Sequence, residues 1–469
     1  MKKIFSILVL VVALFITSCG ATAPELLEFI VDEGSGVDYG GIGIIISSEK
    51  NGMNEKETAW LNILNYDTNT GYGDAILSRV ADIEKNLGVK ISYDTEEDGA
   101  AAMKLKLMAG AYIADMVNYT SFGGMENFAA AGMLHPMTGF EHIDLSETWK
   151  YGDANVLEGA MVNSVPYAVQ PISWPKWEAT GITSIIYNMD ILEEISATDP
   201  HEFWENQNWY WDTFEETYLK GVSMTGEDEW VMSASEKLYY YAFAYANDIQ
   251  YVSAGSDGSY VVNTKPQALI EALEEASQWY KDYGNDKLKL FSDYWTHEDF
   301  DEELALFTIS NPTLPGTSDV RCGLMPFPCG PSNTYGRWCQ AFDRIAGFGI
   351  PVSSIEPDVA AHVLSELFEP LDEYLGPLED YYKEMIFNTE VDAEIYMELV
   401  RDARYDYTFH GGSDLMRAVN NSFSGAIKAG RGAVETADMY SSGVAAIVND
   451  YILPNYDYMY KNYYSKLGE

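Results

Sequence analysis

Asp74-Ala75-Ile76-Leu77-Ser78-Arg79-Val80-Ala81-Asp82-Ile83-Glu84-Lys85-Asn86-Leu87-Gly88-Val89-Lys90-Ile91-Ser92-Tyr93 carries the chain from one periodicity into another. Ile76, Val80, Ile83 and Leu87 recur at spacings of four, three and four, which is one face of a helix. Asp74 is placed to cap its start and Gly88 to end it. Val89 to Tyr93 then alternates apolar and polar, as a half-buried strand does. Upstream, Ile42-Gly43-Ile44-Ile45-Ile46 is a short buried-strand candidate; downstream, residues 101–110 read as helix and Ile113 to Tyr119 as strand. Strand, helix, strand, helix, strand at this spacing is the beat of an α/β domain with a parallel sheet.

The rest of the chain is punctuated differently. Val165 to Pro171 is extended and bounded by proline, and Ile182 to Tyr187 is an apolar strand. Asp212 with Glu215 three residues later makes a capping-box-like start for a helix over 213–220. A tyrosine-dense helix is predicted over 233–246, and Gly255-Ser256-Asp257-Gly258 separates Gln250–Ser253 from Ser259–Val262 as a hairpin would. Thr264 caps a helix with Pro266 in its first turn, apolar at Leu269, Ile270, Leu273 and Ala276 and ended by Gly284. Leu306–Ser310 and Ile345–Val352 read as strands, the second leading into a Pro357-capped helix over 358–371. The last hundred residues are mostly helical, and no fixed-period repeat points to a solenoid.

The N-terminus is an address. Lys2 and Lys3 precede an apolar run, Ile4 to Ile16, that is too short to span a bilayer and ends in Thr17-Ser18-Cys19-Gly20. Cysteine after two small residues resembles a bacterial lipoprotein signal, which implies cleavage before Cys19, acylation of that cysteine and anchoring outside the cytoplasmic membrane. An ordinary secretory signal is the alternative. The two lysines lost with residues 1–18 would move the formal charge from −45 to −47. Such a chain cannot track phosphates, so nucleic-acid binding is excluded on charge. With 47% hydrophobic and 14% aromatic residues it has material for a core, and its length suits two domains. Residues 20–39 read as a spacer. Cys322, Cys329 and Cys339 leave open one local disulfide with a leftover thiol or three reduced thiols, and they lack the spacing of a zinc site.

Several short segments, taken in order, resemble an extracellular solute-binding protein of an ABC importer, the large type that takes oligosaccharides. They are Leu107-Met108-Ala109-Gly110 with Ala114-Asp115-Met116-Val117, then Ala131-Gly132-Met133-Leu134-His135-Pro136-Met137, and Asn163-Ser164-Val165-Pro166-Tyr167-Ala168. Ile185-Ile186-Tyr187-Asn188-Met189-Asp190-Ile191-Leu192 and Asn208-Trp209-Tyr210-Trp211-Asp212-Thr213-Phe214 follow. The family's usual proline before Asp115 is Ala114 here, and its glycine before Val165 is Ser164. The resemblance implies a periplasmic-binding-protein-like type II fold, two α/β lobes with a hinged interdomain cleft. Lobe 1 is expected over 40–170 plus 305–355 and lobe 2 over 171–304 plus 356–469. It further implies a monomer that needs no cofactor and delivers a captured solute to an ABC permease.

Flat aromatic rings suit the apolar faces of pyranoses, so candidates for ligand contact are sought near the crossings. Asn118 and Tyr119 end a strand where α/β clefts bind ligands. Trp174 and Trp177 follow the first crossing, and Asn311 the strand 306–310. Trp338 and Arg344 precede the segment Ala346 to Pro351, and Tyr240 represents a helix whose Tyr239, Tyr240 and Tyr241 cannot all face one way. Trp209 and Trp211 are expected to dock helix 213–220 instead. Catalysis finds no support: there is no nucleophile elbow, phosphate loop or dinucleotide fingerprint, and His297-Glu298 lacks a second histidine. Asp299, Asp301, Glu302 and Glu303 read as a solvated acidic face, without the register of a calcium loop. A surface-anchored carbohydrate-active hydrolase, a structural adhesin and a receptor for peptide or another non-sugar solute are the competing readings.

Overall fold

The computed structural model describes residues 37–49, 64, 70–96, 99–118, 128–129, 132–152, 154–162, 165–175, 183–224, 226, 229–250, 252–254, 260–262, 266–284, 286–292, 297–316, 318–333, 341–342, 347–406 and 429–454. The residues expected to form a lipoprotein signal, Cys19 among them, and Cys339 lie outside these.

The first sheet contains β1 (Ile42–Glu49), β2 (Val89–Glu96), β3 (Met116–Asn118) and, much later in the chain, Phe348–Gly349. Its order is Phe348–Gly349, β3, β1, β2. β1 runs parallel to β2 from Ile42↔Val89 to Glu49↔Glu96, and parallel to β3 from Ile46↔Met116 to Ser48↔Asn118. Helix α1 (Gly71–Leu87) joins β1 to β2 in sequence. Its cap is Thr70, whose Oγ1 accepts from Gly73 N at 3.0 Å, and not Asp74, which lies in the first turn. There the carboxylate still complements the helix dipole. Gly88 closes the helix at φ 62°, in the left-handed region open to glycine. Helix α2 (Gly99–Met108) joins β2 to β3.

Strand alternation then divides the packing. Ile44, Ile46 and Met116 are buried with Ile76, Ile83 and Leu87 of α1; Val117 and Ala114 are buried with Met103 and Leu107 of α2. Helices therefore cover both faces, as a parallel sheet requires. Asp115, 2% exposed, ties the sheet to its surroundings. Its carboxylate accepts from Ile45 N at 3.0 Å, Tyr112 Oη at 2.8 Å, Ser354 Oγ at 3.1 Å and Ile355 N at 3.4 Å.

The second sheet is built from β4 (Ser184–Asn188), β5 (Trp230–Ser235), β6 (Leu288–Phe291), β7 (Ala305–Ser310) and β8 (Cys322–Met325). Its order is β6-β5-β7-β4-β8. β6, β5 and β7 run parallel, while β4 is antiparallel to both β7 and β8. The Phe348–Gly349 strand is β9. Grouping 305–355 with the first lobe thus meets a difference: β7 and β8 pair into the second sheet. Conversely, helix Pro357–Leu367 buries Ala360, Val363, Leu364 and Leu367 beside Ile44 and Ile46 of the first sheet.

Sequence reading misses β5, β6 and β8. β5 ends in Ser233-Ala234-Ser235 and passes straight into the helix Glu236–Ala246, so the two looked like one helix from 233. β8 contains Gly323, where the Tyr187 ring lies so close to the backbone that a Cβ would collide with it. The helix expected over 213–220 spans Trp211–Met224. It is docked by Trp209, wholly buried, whose indole N–H donates to Pro326 O at 2.8 Å. The hairpin is present as Val252–Ala254 against Tyr260–Val262. Asp299 departs from the solvated acidic face expected there. It is 8% exposed and accepts from Ser233 Oγ at 2.6 Å and Lys289 Nζ at 2.8 Å. Cys322 and Cys329 are buried free thiols.

The helix Glu390–Asp402 holds the second sheet by one buried carboxylate. Asp392 accepts from Leu324 N at 2.6 Å, shares His201 Nε2 at 3.0 Å and completes a capping box with Thr389. His201 Nδ1 in turn faces Tyr187 Oη at 3.3 Å, and that hydroxyl donates to Asp199 at 2.7 Å. Burial lowers the His201 pKa, but the bond and charge of Asp392, with Asp199 and Leu324 O, outweigh it and leave the pKa raised.

Candidate functional site

Parallel strands place their carboxyl ends on one edge of a sheet, and α/β proteins bind ligands beyond that edge. Both sheets present such an edge, and the register shows what stands on each. In the first, Ser48 pairs with Asn118, Asn118 with Phe348, and Phe348 with Val169 through N–O bonds of 2.7 and 3.0 Å. Val169 runs antiparallel to Phe348, so Gln170 comes one residue nearer the edge than that row. Ser48, Asn118 and Gln170 are 8%, 1% and 4% exposed. The Gln170 amide oxygen is buried with no hydrogen-bond partner. A buried amide oxygen left without a donor costs on the order of 1–3 kcal/mol, which a bound hydroxyl or N–H would relieve.

In the second sheet Phe291 pairs with Ser235, and Ser184 with Ser310. Extending the Phe307↔Met232 register by three residues sets Ser310 beside Ser235. Three small hydroxyl residues therefore cross this edge, where β5 and β7 both end. Ser235 and, two rows back, Thr308 have buried hydroxyls without a hydrogen-bond partner. Ser184 Oγ donates to Ser310 O at 3.3 Å.

The residues expected to meet ligand fall into different places. Asn118 stands in the first polar row, beside Ser48. Asn311 follows Ser310 off the second edge, but its Oδ1 is used locally, accepting from Thr313 N at 3.0 Å and Thr313 Oγ1 at 2.9 Å. Trp174 is wholly buried: its indole N–H donates to Glu369 O at 3.2 Å and its ring meets Phe368 edge-on at 6.1 Å. With Ser173 Oγ donating to Phe368 O at 3.0 Å, it fastens the crossing segment to the end of helix Pro357–Leu367. Tyr240 is 5% exposed, packed edge-on against Tyr239, and burial raises its phenol pKa. Tyr119, Trp177, Trp338 and Arg344 lie outside the described residues.

Sequence reasoning passed over Gln170, Ser48, Ser235 and Ser310. One signal was available: Gln170 is the only polar residue free to hydrogen-bond through an amide in Tyr167-Ala168-Val169-Gln170-Pro171. The serines carry no such signal, because their meaning depends on register. His201 with Asp392 resembles a catalytic pair, yet it is buried and committed to β8 and the Thr389 cap. Among the described residues no three His, Cys, Asp or Glu side chains are grouped to hold a metal ion.

No family model matches the chain, and no curated protein is similar to it in sequence. Solved structures do match. The GacH receptor of Streptomyces glaucescens, solved unliganded and in complex with acarbose and an acarbose homolog, superposes with a TM-score of 0.59. The two share 12% identity over 88% of this chain and 99% of the receptor. The fold is periplasmic-binding-protein-like. At so low an identity the likeness speaks for the architecture alone, and 570 solved chains match in all. Within that fold both polar sheet edges carry buried hydrogen-bonding groups still to be satisfied, Gln170 on the first and Ser235 on the second.

Proposed function

We propose that the chain is the substrate-binding subunit of an ABC importer, tethered outside the cytoplasmic membrane by lipid on Cys19, and that it captures an oligosaccharide. The two sheets would belong to two lobes, their carboxyl edges facing a shared cleft that closes over ligand. Closure is favoured only by contacts that ligand makes better in the closed form. The observation that carries this reading is the buried, unpartnered amide oxygen of Gln170 in the first row. Sugar hydroxyls are donors of the kind it lacks, and the serine row opposite can accept or donate. The fold shared with a receptor crystallised with acarbose supports the same ligand class. The chain would act alone, as a monomer without cofactor, and hand its load to a permease.

Thermal unfolding of the complete chain against oligosaccharides, peptides and amino acids tests this. A ligand at a hundred times its Kd should stabilise the chain by about 2.7 kcal/mol through mass action. A shift with oligosaccharide and intact sugar recovered afterwards supports capture. Shortened sugar products would mean a hydrolase, a shift with peptide alone a different receptor. No shift with any class would end the transport reading.

A further inference from the structure

Two histidines stack face to face where the chain enters the first sheet. The rings of His142 and His362 are 3.8 Å apart and inclined by 1°. His362 lies on α3 (Pro357–Leu367) and is 5% exposed; His142 belongs to the turn after Phe140. Tyr39, three residues before β1, places its hydroxyl 2.9 Å from His362 Nδ1 and its ring edge-on at 5.8 Å. Burial and Asp358 both raise the Tyr39 pKa, so the phenol keeps its proton and donates it to Nδ1. That leaves the His362 proton on Nε2, facing Glu366 Oε1 at 3.7 Å. The same stretch is held by Tyr39 N to Leu87 O at 2.9 Å and Gly41 N to Gly88 O at 2.6 Å.

The surroundings favour a neutral His362. Burial lowers its pKa first, and His142 and Lys150 act in the same direction. Lys150, 2% exposed, is fixed by Glu369 at 2.6 Å, Ser365 at 3.0 Å and Glu147 at 3.6 Å, so its charge stays in place. Against this stand Glu366 and Asp358 on the same helix; Glu366 is half-exposed and beyond hydrogen-bond range. His135 lies nearby, edge-on to Phe140, its own pKa lowered by burial against the pull of Asp358.

The geometry points to an acid-sensitive latch: with His362 neutral, the stack and the Tyr39 bond hold residues 38–41 against α3, and acid opens it. Protonation of Nδ1 removes the acceptor that Tyr39 uses and places a charge in the stack beside Lys150. A histidine whose folded pKa lies below 6.5 gives stability that is complete above 6.5 and falls as pH drops from there toward the folded value. The effect belongs to the stretch leading from the N-terminal residues into β1, so it would loosen the tether end of the body while leaving both polar edges in place.

Hydrogen exchange of the full chain, corrected for intrinsic rate, reads the latch directly. Between about pH 7.5 and about pH 5.5, protection at the Tyr39 and Gly41 amides should fall roughly tenfold relative to Ile44 and Ile46. In His362→Gln, which has no imidazole there to protonate, most of that fall should vanish. Equal protection at both pH values, or an undiminished fall in the variant, would overturn the latch. Ring titration of the wild-type chain decides independently of any variant: His362 must titrate below 6.5, and a higher value would refute the proposal.

Discussion

A buried aspartate fastens each sheet, Asp115 in the first and Asp392 in the second, and the two keep different company. Asp115 accepts only neutral donors, two backbone amides and two hydroxyls, and all of them lie in or beside the first sheet. Asp392 reaches from a helix to β8 and shares its charge with His201. Beside the first sheet, buried His362 and half-buried His135 have lowered pKa values; the second sheet's His201 has a raised one. Opposite responses to pH follow within one chain. Acid weakens the first region, and rising pH weakens the second, because His201 gives up its proton as pH climbs through its raised folded pKa. Burial lowers all three, and only His201 has a carboxylate hydrogen-bonded to its ring to outweigh it.

The strongest way to break this comparison is to remove the charged clasp. Asp392→Ala strands His201 and the Leu324 amide, and urea unfolding should show a loss of about 3–5 kcal/mol, the cost of breaking a buried ion pair. Asp115→Ala leaves the Ile45 and Ile355 amides without their acceptor and should cost less, about 2 kcal/mol by the same measurement. A larger loss for Asp115→Ala would show that neutral donors, not the histidine charge, dominate. Gln170→Leu should leave unfolding unchanged or slightly improved, since it removes an unsatisfied oxygen. Ligand affinity should fall roughly tenfold, or about 1.4 kcal/mol, in titration calorimetry. The smallest effect sharpens the pH contrast: wild-type Tm should drift down as pH rises past 6.5, and His201→Gln should flatten that drift.

The first region was legible because its signals are local. Ile76, Val80, Ile83 and Leu87 predict α1 with its Gly88 stop, and β1 and β2 follow from their own apolar runs. Only the cap moved, from Asp74 to Thr70, a hydroxyl standing one residue ahead of the helix. The second sheet was half hidden. β5 carries serines on what is an interior strand, β8 is four residues with a glycine forced by the Tyr187 ring, and neither has a period to read. The site divides the same way. Asn118 was reachable from its place after an apolar strand, but Ser48, Ser235 and Ser310 acquire meaning only when strands distant in sequence are aligned. Trp174 shows the converse error, since an aromatic beside a crossing served packing.

Cys322 turns the second sheet into its own reporter. Its thiol is wholly buried in β8, donates to Val320 O at 3.0 Å, and has its pKa pushed up to about 12, chiefly by burial. A thiol that stays protonated and shielded is a poor nucleophile, so alkylating reagents and oxidants gain access only while β8 is peeled away from β4. The rate at which that one cysteine is labelled, followed peptide by peptide under native conditions, is therefore a stopwatch on edge-strand opening.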